Sequence, residues 1–314
     1  MSKILVTGGA GFVGSNLVRE LIRMQHEVLV VDDLSSGHEV LVDAEARFVR
    51  GSIIDDKVLD TCFAFKPEYV FHLAALFANQ NSVDHPDVDL NVNGLGTIKI
   101  LDRCTKSMVK KVLYVSSSCV YGGMEVMDES TETYYPDTPY AITKLLGEQY
   151  AKFWAHHHKL DVVMVRLFNT YGPGEYPGKY RNVIPNFIRM GLEGKPLPIT
   201  GNGTETRDFT FVEDTVIGIC RAMFATTQSG DVFNLATGVE TRIIDIANEI
   251  NRCTGNSAGV EFLPRRSWDA VTRRVARTGK AKEILGFTAQ RGICQGIDET
   301  CKWVSEAIAN RTSA

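Results

Sequence analysis

Short apolar runs recur along the first half of the chain, at "KILVTG", "EVLVVD", "RFVRG", "YVFHLAA", "KVLYVSS" and "DVVMVRLFN". Each is rich in β-branched, aliphatic or aromatic residues and ends at small or polar ones, the pattern of a strand covered on both faces. Most of the stretches between them, "VGSNLVRELIRMQ" and "GLGTIKILDRCTK" among them, repeat apolar residues at helical spacing. Strands alternating with helices predict a parallel sheet, and right-handed crossovers make it doubly wound. After about residue 170 the alternation breaks at a Gly/Pro/Tyr-rich loop, "NTYGPGEYPGKYRN", and shorter mixed elements follow. The pattern thus predicts an α/β chain: a doubly wound domain over 1–169 and a smaller mixed α/β lobe over most of 170–314. Segments near 209–238, "DVFNLAT" and the helical stretch at 213–226, are expected to return to the main sheet.

The first strand runs into "TGGAGFVG", which opens a helix. Gly9, Gly11 and Gly14 satisfy G-x-G-x-x-G, and Gly8, Gly11 and Gly14 the wider G-x-x-G-x-x-G. Missing side chains permit the tight turn and the close approach of a pyrophosphate, and the helix N-terminus offers amide donors. The next strand ends in Asp32, 18 residues past Gly14, where a carboxylate accepts from ribose hydroxyls. A 2′-phosphate would meet like charge there, so the expected cofactor is NAD rather than NADP, in a Rossmann-type domain.

Charge and composition narrow the setting. The formal net charge of −4 gives no general reason to bind nucleic acid or acidic membranes. No run reaches the roughly 18 apolar residues of a spanning helix, and the start of the chain reads as a strand rather than a signal peptide. Seven scattered cysteines, odd in number and without C-x-x-C, suggest reduced thiols in a cytoplasmic protein. "HHH" at 156–158 falls near a helix end, where consecutive side chains diverge, so no metal site is expected.

"PYAITKLLGEQYAKFWAHHHK" predicts a helix from Pro139 that carries Tyr140 and Lys144 on one face. A neighbouring ammonium and an oxidised nicotinamide ring both favour a phenolate, so the tyrosine is expected to ionise below its usual value of about 10. With this pair after five strand–helix units, the chain resembles the extended short-chain dehydrogenase/reductase superfamily, in its nucleotide-sugar epimerase and dehydratase branch. The resemblance covers nearly the whole chain through "TGGAGFVG", "DDLSSG", "HLAA", "NVNGLGT", "SSSCVYG", "YAITK", "RLFNTYGPG", "RNVIPNF", "TRDFTFVED" and "LPRRSWD".

The resemblance implies roles. Tyr140 is the base, Lys144 orients it and binds the nicotinamide ribose, and Ser117 holds the sugar hydroxyl; Ser118 and Cys119 stand beside them as candidates. Gly8, Gly11, Phe12, Val13 and Gly14 are expected at the pyrophosphate, and Asp32, Asp33, Ser35, Ser36 and Gly37 around the adenosine. Ser52 and Ile53 stand where the branch often has an acid followed by Ile or Leu beneath the adenine. Leu73, Ala74, Ala75, Asn93 and Phe168 complete the cofactor cleft. Asn169, Asn182, Val183, Arg207, Arg266 and Asp269 are expected to bind the nucleotide sugar, the arginines its phosphates.

The strand end "VSSSCVYG" then selects the reaction. Relatives that dehydrate carry Asp-Glu after the hydroxyl residue, and those that decarboxylate carry a Glu at position 119. Ser118 and Cys119 supply neither, so reversible hydride transfer at C4 of a UDP-hexose is the expected chemistry, UDP-glucose/UDP-galactose the default pair. Alternatives are a 3- or 5-epimerase in which Cys119 deprotonates carbon, an epimerase or decarboxylase of UDP-glucuronate, and a non-catalytic NAD sensor. A homodimer is expected through helices near 86–106 and 139–158.

Overall fold

The computed structural model describes residues 1–77, 79–265 and 271–312, with side chains to residue 309. In chain order the elements begin with β1 (Lys3–Thr7), α1 (Phe12–Arg23), β2 (Glu27–Asp32), β3 (Arg47–Arg50), α2 (Asp56–Ala64) and β4 (Tyr69–His72). Next come α3 (Asn79–Asp84), α4 (Pro86–Asp89), α5 (Gly96–Lys106), β5 (Lys111–Ser117), β6 (Val126–Met127) and α6 (Pro139–His157). Then follow β7 (Val162–Leu167), β8 (Asn169–Tyr171), α7 (Val183–Leu192), β9 (Leu197–Thr200), β10 (Thr206–Arg207), β11 (Phe209–Phe211) and α8 (Val212–Phe224). The chain closes with β12 (Asp231–Leu235), β13 (Thr241–Arg242), α9 (Ile243–Thr254), β14 (Val260–Leu263), β15 (Val275–Ala276), α10 (Gly279–Leu285) and α11 (Ile293–Thr312).

Seven strands form one parallel sheet in the order β12-β7-β5-β4-β1-β2-β3. The period-2 alternation of each strand divides the core in two. Ile4, Val6, Val28, Val30, Leu113 and Val163 face α1 and α8, where they meet Leu17, Leu21, Val216 and Ile219. Leu5, Leu29, Val31, Val112 and Val162 face α2, α5 and α6, against Leu59, Ile100, Cys104 and Trp154. Covering both faces explains why these strands read as continuous apolar runs. The order reverses beside β1, whose neighbours are β2 and β4, and such a switch point opens a crevice at the carboxyl ends of the strands.

A separate core joins α7, α9 and α11 to β9 through Phe187, Ile188, Ile199, Ile250, Ile297 and Val304. Two expectations change here. Cys253 of α9 and Cys301 of α11 form a disulfide, 48 residues apart in sequence, rather than two reduced thiols. The packing of the two helices brings their Cα atoms to 6.8 Å, a proximity that no sequence spacing announces. The long helix expected near 86–106 is interrupted: α4 passes through a wider, π-helical turn over Leu90–Leu95 before α5 begins.

Candidate active site

A cleft of about 600 Å³ opens at the carboxyl ends of the strands. Its floor is the turn from β1 to α1. Gly8 adopts φ +75, and a side chain there would meet the backbone nitrogen of Ala74 at 2.7 Å. A Cβ on Gly14 would lie 2.1 Å from the carbonyl oxygen of Gly8. The spacing is therefore steric: the turn closes only without these side chains. Gly11 caps α1, no acid occupies its first turn, and its end of the dipole faces anions favourably.

Asp32 buttresses this turn. Its Oδ2 accepts from the Ala10 amide at 3.0 Å and its Oδ1 from the Leu34 amide at 2.8 Å. Burial pushes its carboxyl above the usual range, and the two amides pull it back. Each oxygen retains a second acceptor position for a ribose hydroxyl. A cradle that side chains would fill, and an acid with spare acceptors at its rim, fit a dinucleotide.

Gly8, Gly11, Phe12, Val13, Gly14, Asp32, Asp33, Ser35 and Ser36 line the cleft, as do Ser52, Ile53, Leu73, Ala74, Ala75 and Phe168. Gly37 and Asn93 do not. Gly37 packs under the turn, where a Cβ would lie 3.0 Å from Ala10. Asn93 is enclosed and serves as a clamp: its Oδ1 accepts from the Leu76 amide at 2.7 Å, and its Nδ2 donates to the Leu76 carbonyl at 3.2 Å and Asp89 at 2.7 Å. It holds the loop after β4 instead of facing the cofactor.

Tyr140 and Lys144 are both buried on the cleft face of α6. Thr138 caps that helix, accepting from the Ala141 amide, and its hydroxyl donates to Asn79 Oδ1 at 3.1 Å. Ser82 Oγ receives the Tyr140 amide at 3.0 Å, and the Phe77 ring stands edge-on to the Tyr140 ring at 6.0 Å. Lys144 Nζ donates to the Val115 carbonyl at 3.0 Å and lies 5.8 Å from the Tyr140 ring centroid. Burial lowers the Lys144 ammonium to about 8, against the upward pull of Asp89 and Glu148.

Burial pushes Tyr140 well above its usual value, Cys119 and Asp89 add to the rise, and only a hydrogen bond with the Ser117 side chain opposes them. The protein desolvates this hydroxyl, and the Lys144 ammonium is engaged by the Val115 carbonyl.

The serines of the strand end part company. Ser116 Oγ donates into the core to Glu148 Oε1 at 2.6 Å. Ser117 Oγ accepts from the Cys119 amide at 3.2 Å and reaches Tyr140. Ser118 and Cys119 also line the cleft, and Cys119 Sγ accepts from Asn79 Nδ2 at 3.6 Å. Behind them Arg166 binds Glu148 through Nε at 2.8 Å and Nη2 at 2.7 Å, both side chains fully enclosed. Burial works against the Arg166 charge, but Glu148 outweighs it and holds the guanidinium above its ordinary value.

At the other end Asn169 and Asn182 line the cleft. Asn169 donates to the Asp208 carbonyl at 3.1 Å, and Asn182 donates to Glu175. Val183 opens α7 and leans on the carboxy-terminal core, and Arg207 donates to the Thr206 carbonyl at 2.9 Å; neither lines the cleft. Arg266 and Asp269 lie outside the described residues. The pattern missed Phe77, Asn79, Glu175, Lys179, Arg181 and Arg274, all of which line the cleft. Phe77 and Asn79 follow β4, Glu175, Lys179 and Arg181 follow β8, and Arg274 precedes β15, so their sequence signal is only a place near strand ends.

A Rossmann cleft that joins a dinucleotide cradle to a buried Tyr/Lys pair defines a class of nicotinamide-dependent enzymes. The model of the NAD dependent epimerase/dehydratase family matches residues 4–236, and the chain belongs to that family, with NAD as its cofactor. It is 36% identical over 308 residues to a UDP-glucose 4-epimerase of Mycolicibacterium smegmatis, across 96% of this chain and 98% of that one. It is 33% identical over 319 residues to a UDP-N-acetyl-alpha-D-glucosaminuronate decarboxylase of Bacillus cytotoxicus, across 97% and 98% of the two chains. The solved structure of an epimerase from Methanothermobacter thermautotrophicus superposes with a TM-score of 0.95 at 43% identity, across 100% of this chain and 95% of that one. Among the described residues no helix is long and apolar enough to cross a membrane.

Proposed function

We propose that the chain is a nucleotide-sugar 4-epimerase, acting on a UDP-hexose such as UDP-glucose or UDP-galactose. The observation that carries this reading is the strand end. Ser117 lines the cleft with Tyr140, where its side chain pulls the phenol's ionisation down, and the next two cleft residues are Ser118 and Cys119, neither a carboxylate. Eliminating water from a 4-keto sugar needs a further acid and base, and this segment supplies only a hydroxyl and a thiol.

Tyr140 takes the proton of the sugar 4-hydroxyl and returns it when C4 is reduced on the opposite face. Ser117 holds that hydroxyl against the phenol. Lys144, tied to Val115, fixes the ammonium beside the ring. Bound NAD supplies the reversible hydride acceptor and a positive ring that favours the phenolate. Asn169, at the end of the doubly wound domain, and Asn182 of the smaller lobe, mainly 170–314, contribute toward the nucleotide, and the assembly is a cytoplasmic homodimer.

The test is to incubate the purified protein with UDP-galactose, UDP-glucuronate and their N-acetyl analogues and to separate the products. Inversion at C4 is expected, and its absence with every nucleotide sugar rejects the reading. The second reading, Cys119 as a carbon base, is favoured by a thiol that lines the cleft and is held by Asn79. Deuterium entering C3 or C5 from D2O in the same incubation would establish it.

A further inference from the structure

The loop 173–182 places an acid where the cleft is built for anions. Glu175 lines the cleft, yet it is only 2% exposed. Its Oε1 accepts from the Asn182 amide at 3.3 Å and from Asn182 Nδ2 at 2.9 Å. Its Oε2 is enclosed and has no hydrogen-bond partner among the described residues. An enclosed carboxylate oxygen with no donor is costly, whereas a protonated one can itself donate.

The surroundings favour a phosphate. The preceding residue, Gly174, lies against the first turn of α1, with its Cβ position 3.0 Å from Asn16 Nδ2. Asn16 in turn donates to the Pro173 carbonyl at 2.9 Å, and Arg181 binds the Ser36 carbonyl, so the loop is tied to the cofactor side. Asn182 is the cap of α7, but its side chain is turned toward Glu175, and the first turn of α7 has no side-chain cap and no acid. Glu175 therefore sits on a loop that runs from the first turn of α1 to the cap of α7, two helix N-termini favourable to an anion.

We propose that Glu175 is a proton-linked element of the diphosphate site. The carboxyl is neutral in the complex, kept protonated by the like charge of a phosphate alongside, and binding takes up one proton from solvent. This rests on the family's dinucleotide and, for the second arm below, on the nucleotide-sugar reading. Burial raises the Glu175 carboxyl to about 7, with the bonds from Asn182 and the charge of Arg181 pulling it down. Lys179 on the same loop, Asp32 and Asp33 at the end of β2, Lys144 on α6 and Arg274 before β15 line the same cleft. Arg181 lines it too, and its charge is the one that acts on Glu175. A diphosphate brought alongside adds like charge, which drives the proton on.

Isothermal titration in two buffers of different ionisation enthalpy, at pH 8, reads the proton count directly. One arm titrates NAD into cofactor-free protein, and the other titrates UDP into the holoenzyme. Wild type is expected to take up close to one proton with the ligand whose diphosphate meets Glu175, and Glu175→Gln none. The wild-type Kd should rise by up to about tenfold per pH unit above neutrality, and that slope should vanish in the variant. Uptake with NAD alone assigns the cofactor pyrophosphate, and uptake with UDP alone assigns the substrate. If UDP does not bind at all, the nucleotide-sugar reading fails while the NAD arm still decides the role of Glu175. No uptake by wild type with either ligand, or equal uptake by a folded Glu175→Gln, overturns the proposal. Should the variant not fold, the pH dependence of the wild-type count decides: uptake that follows a midpoint near about 7 supports the proposal, and uptake that follows the Lys144 midpoint near about 8 overturns it.

Discussion

Ser116, Ser117 and Ser118 are neighbours in sequence and go to different places: a core carboxylate, the Tyr140 phenol and the cleft wall. Ser116 and Ser117 are successive residues of β5, and the pleat turns their side chains to opposite faces, whereas Ser118 lies past the strand in a 3-10 turn that returns it to the cleft. The same geometry made the Tyr140/Lys144 pair legible, because four residues on a helix return to one face. Arg207 was not legible in this way. A guanidinium on a long stem has many directions open to it, and here it donates back to the carbonyl of the preceding residue, Thr206. Glu175 belongs to a loop without period, and its burial comes from residues far away in sequence. At this scale the prediction concerns the phenol. Tyr140→Phe should lower kcat by about 10²–10⁴-fold, the usual worth of positioned acid–base catalysis, with UDP affinity nearly unchanged. Steady-state rates with UDP titration measure both; an undiminished rate would remove Tyr140 from the mechanism.

Between elements, the Arg166–Glu148 pair pins β7 to α6, the helix that carries the tyrosine and the lysine. The guanidinium is also sandwiched, 4.5 Å from the Tyr121 ring centroid and 4.9 Å from that of Tyr134. Removing one charge strands the other in the core. Glu148→Gln should therefore cost about 3–5 kcal/mol of stability in chemical denaturation, whereas breaking an exposed pair such as Arg23–Glu20 should leave the stability nearly unchanged. Elements themselves were readable where a local rule governs them, as with the glycine turn and the start of α6 at Pro139 behind its Thr138 cap. The π-helical turn over Leu90–Leu95 was not readable. It accompanies a cluster in which Asn93, Asp89 and Thr143 bond across three elements, and apolar periodicity carries no record of such bonds.

For the molecule as a whole, the apolar runs foretold a doubly wound sheet, since burial on both faces leaves that mark in composition. Which strands share the sheet is set by long-range pairing. β12 pairs with β7 from Asp231↔Val163 to Leu235↔Leu167, and α8 packs over the same side. A fragment ending at residue 169 would lack both. It should be insoluble or molten, with exposed apolar surface detected by dye binding, because the outer edge of β7 and the face under α8 are left uncovered. A soluble fragment with cooperative melting would contradict this.

That seventh strand has a consequence during synthesis. A ribosome making this chain from its first residue must deliver β8, α7 and β9 to β11 before β12 can complete the sheet. The two halves therefore cannot mature in succession. The growing polypeptide must keep an open strand edge shielded until well over two thirds of it has been translated, and a pause before that point would be the moment of greatest exposure to misassembly.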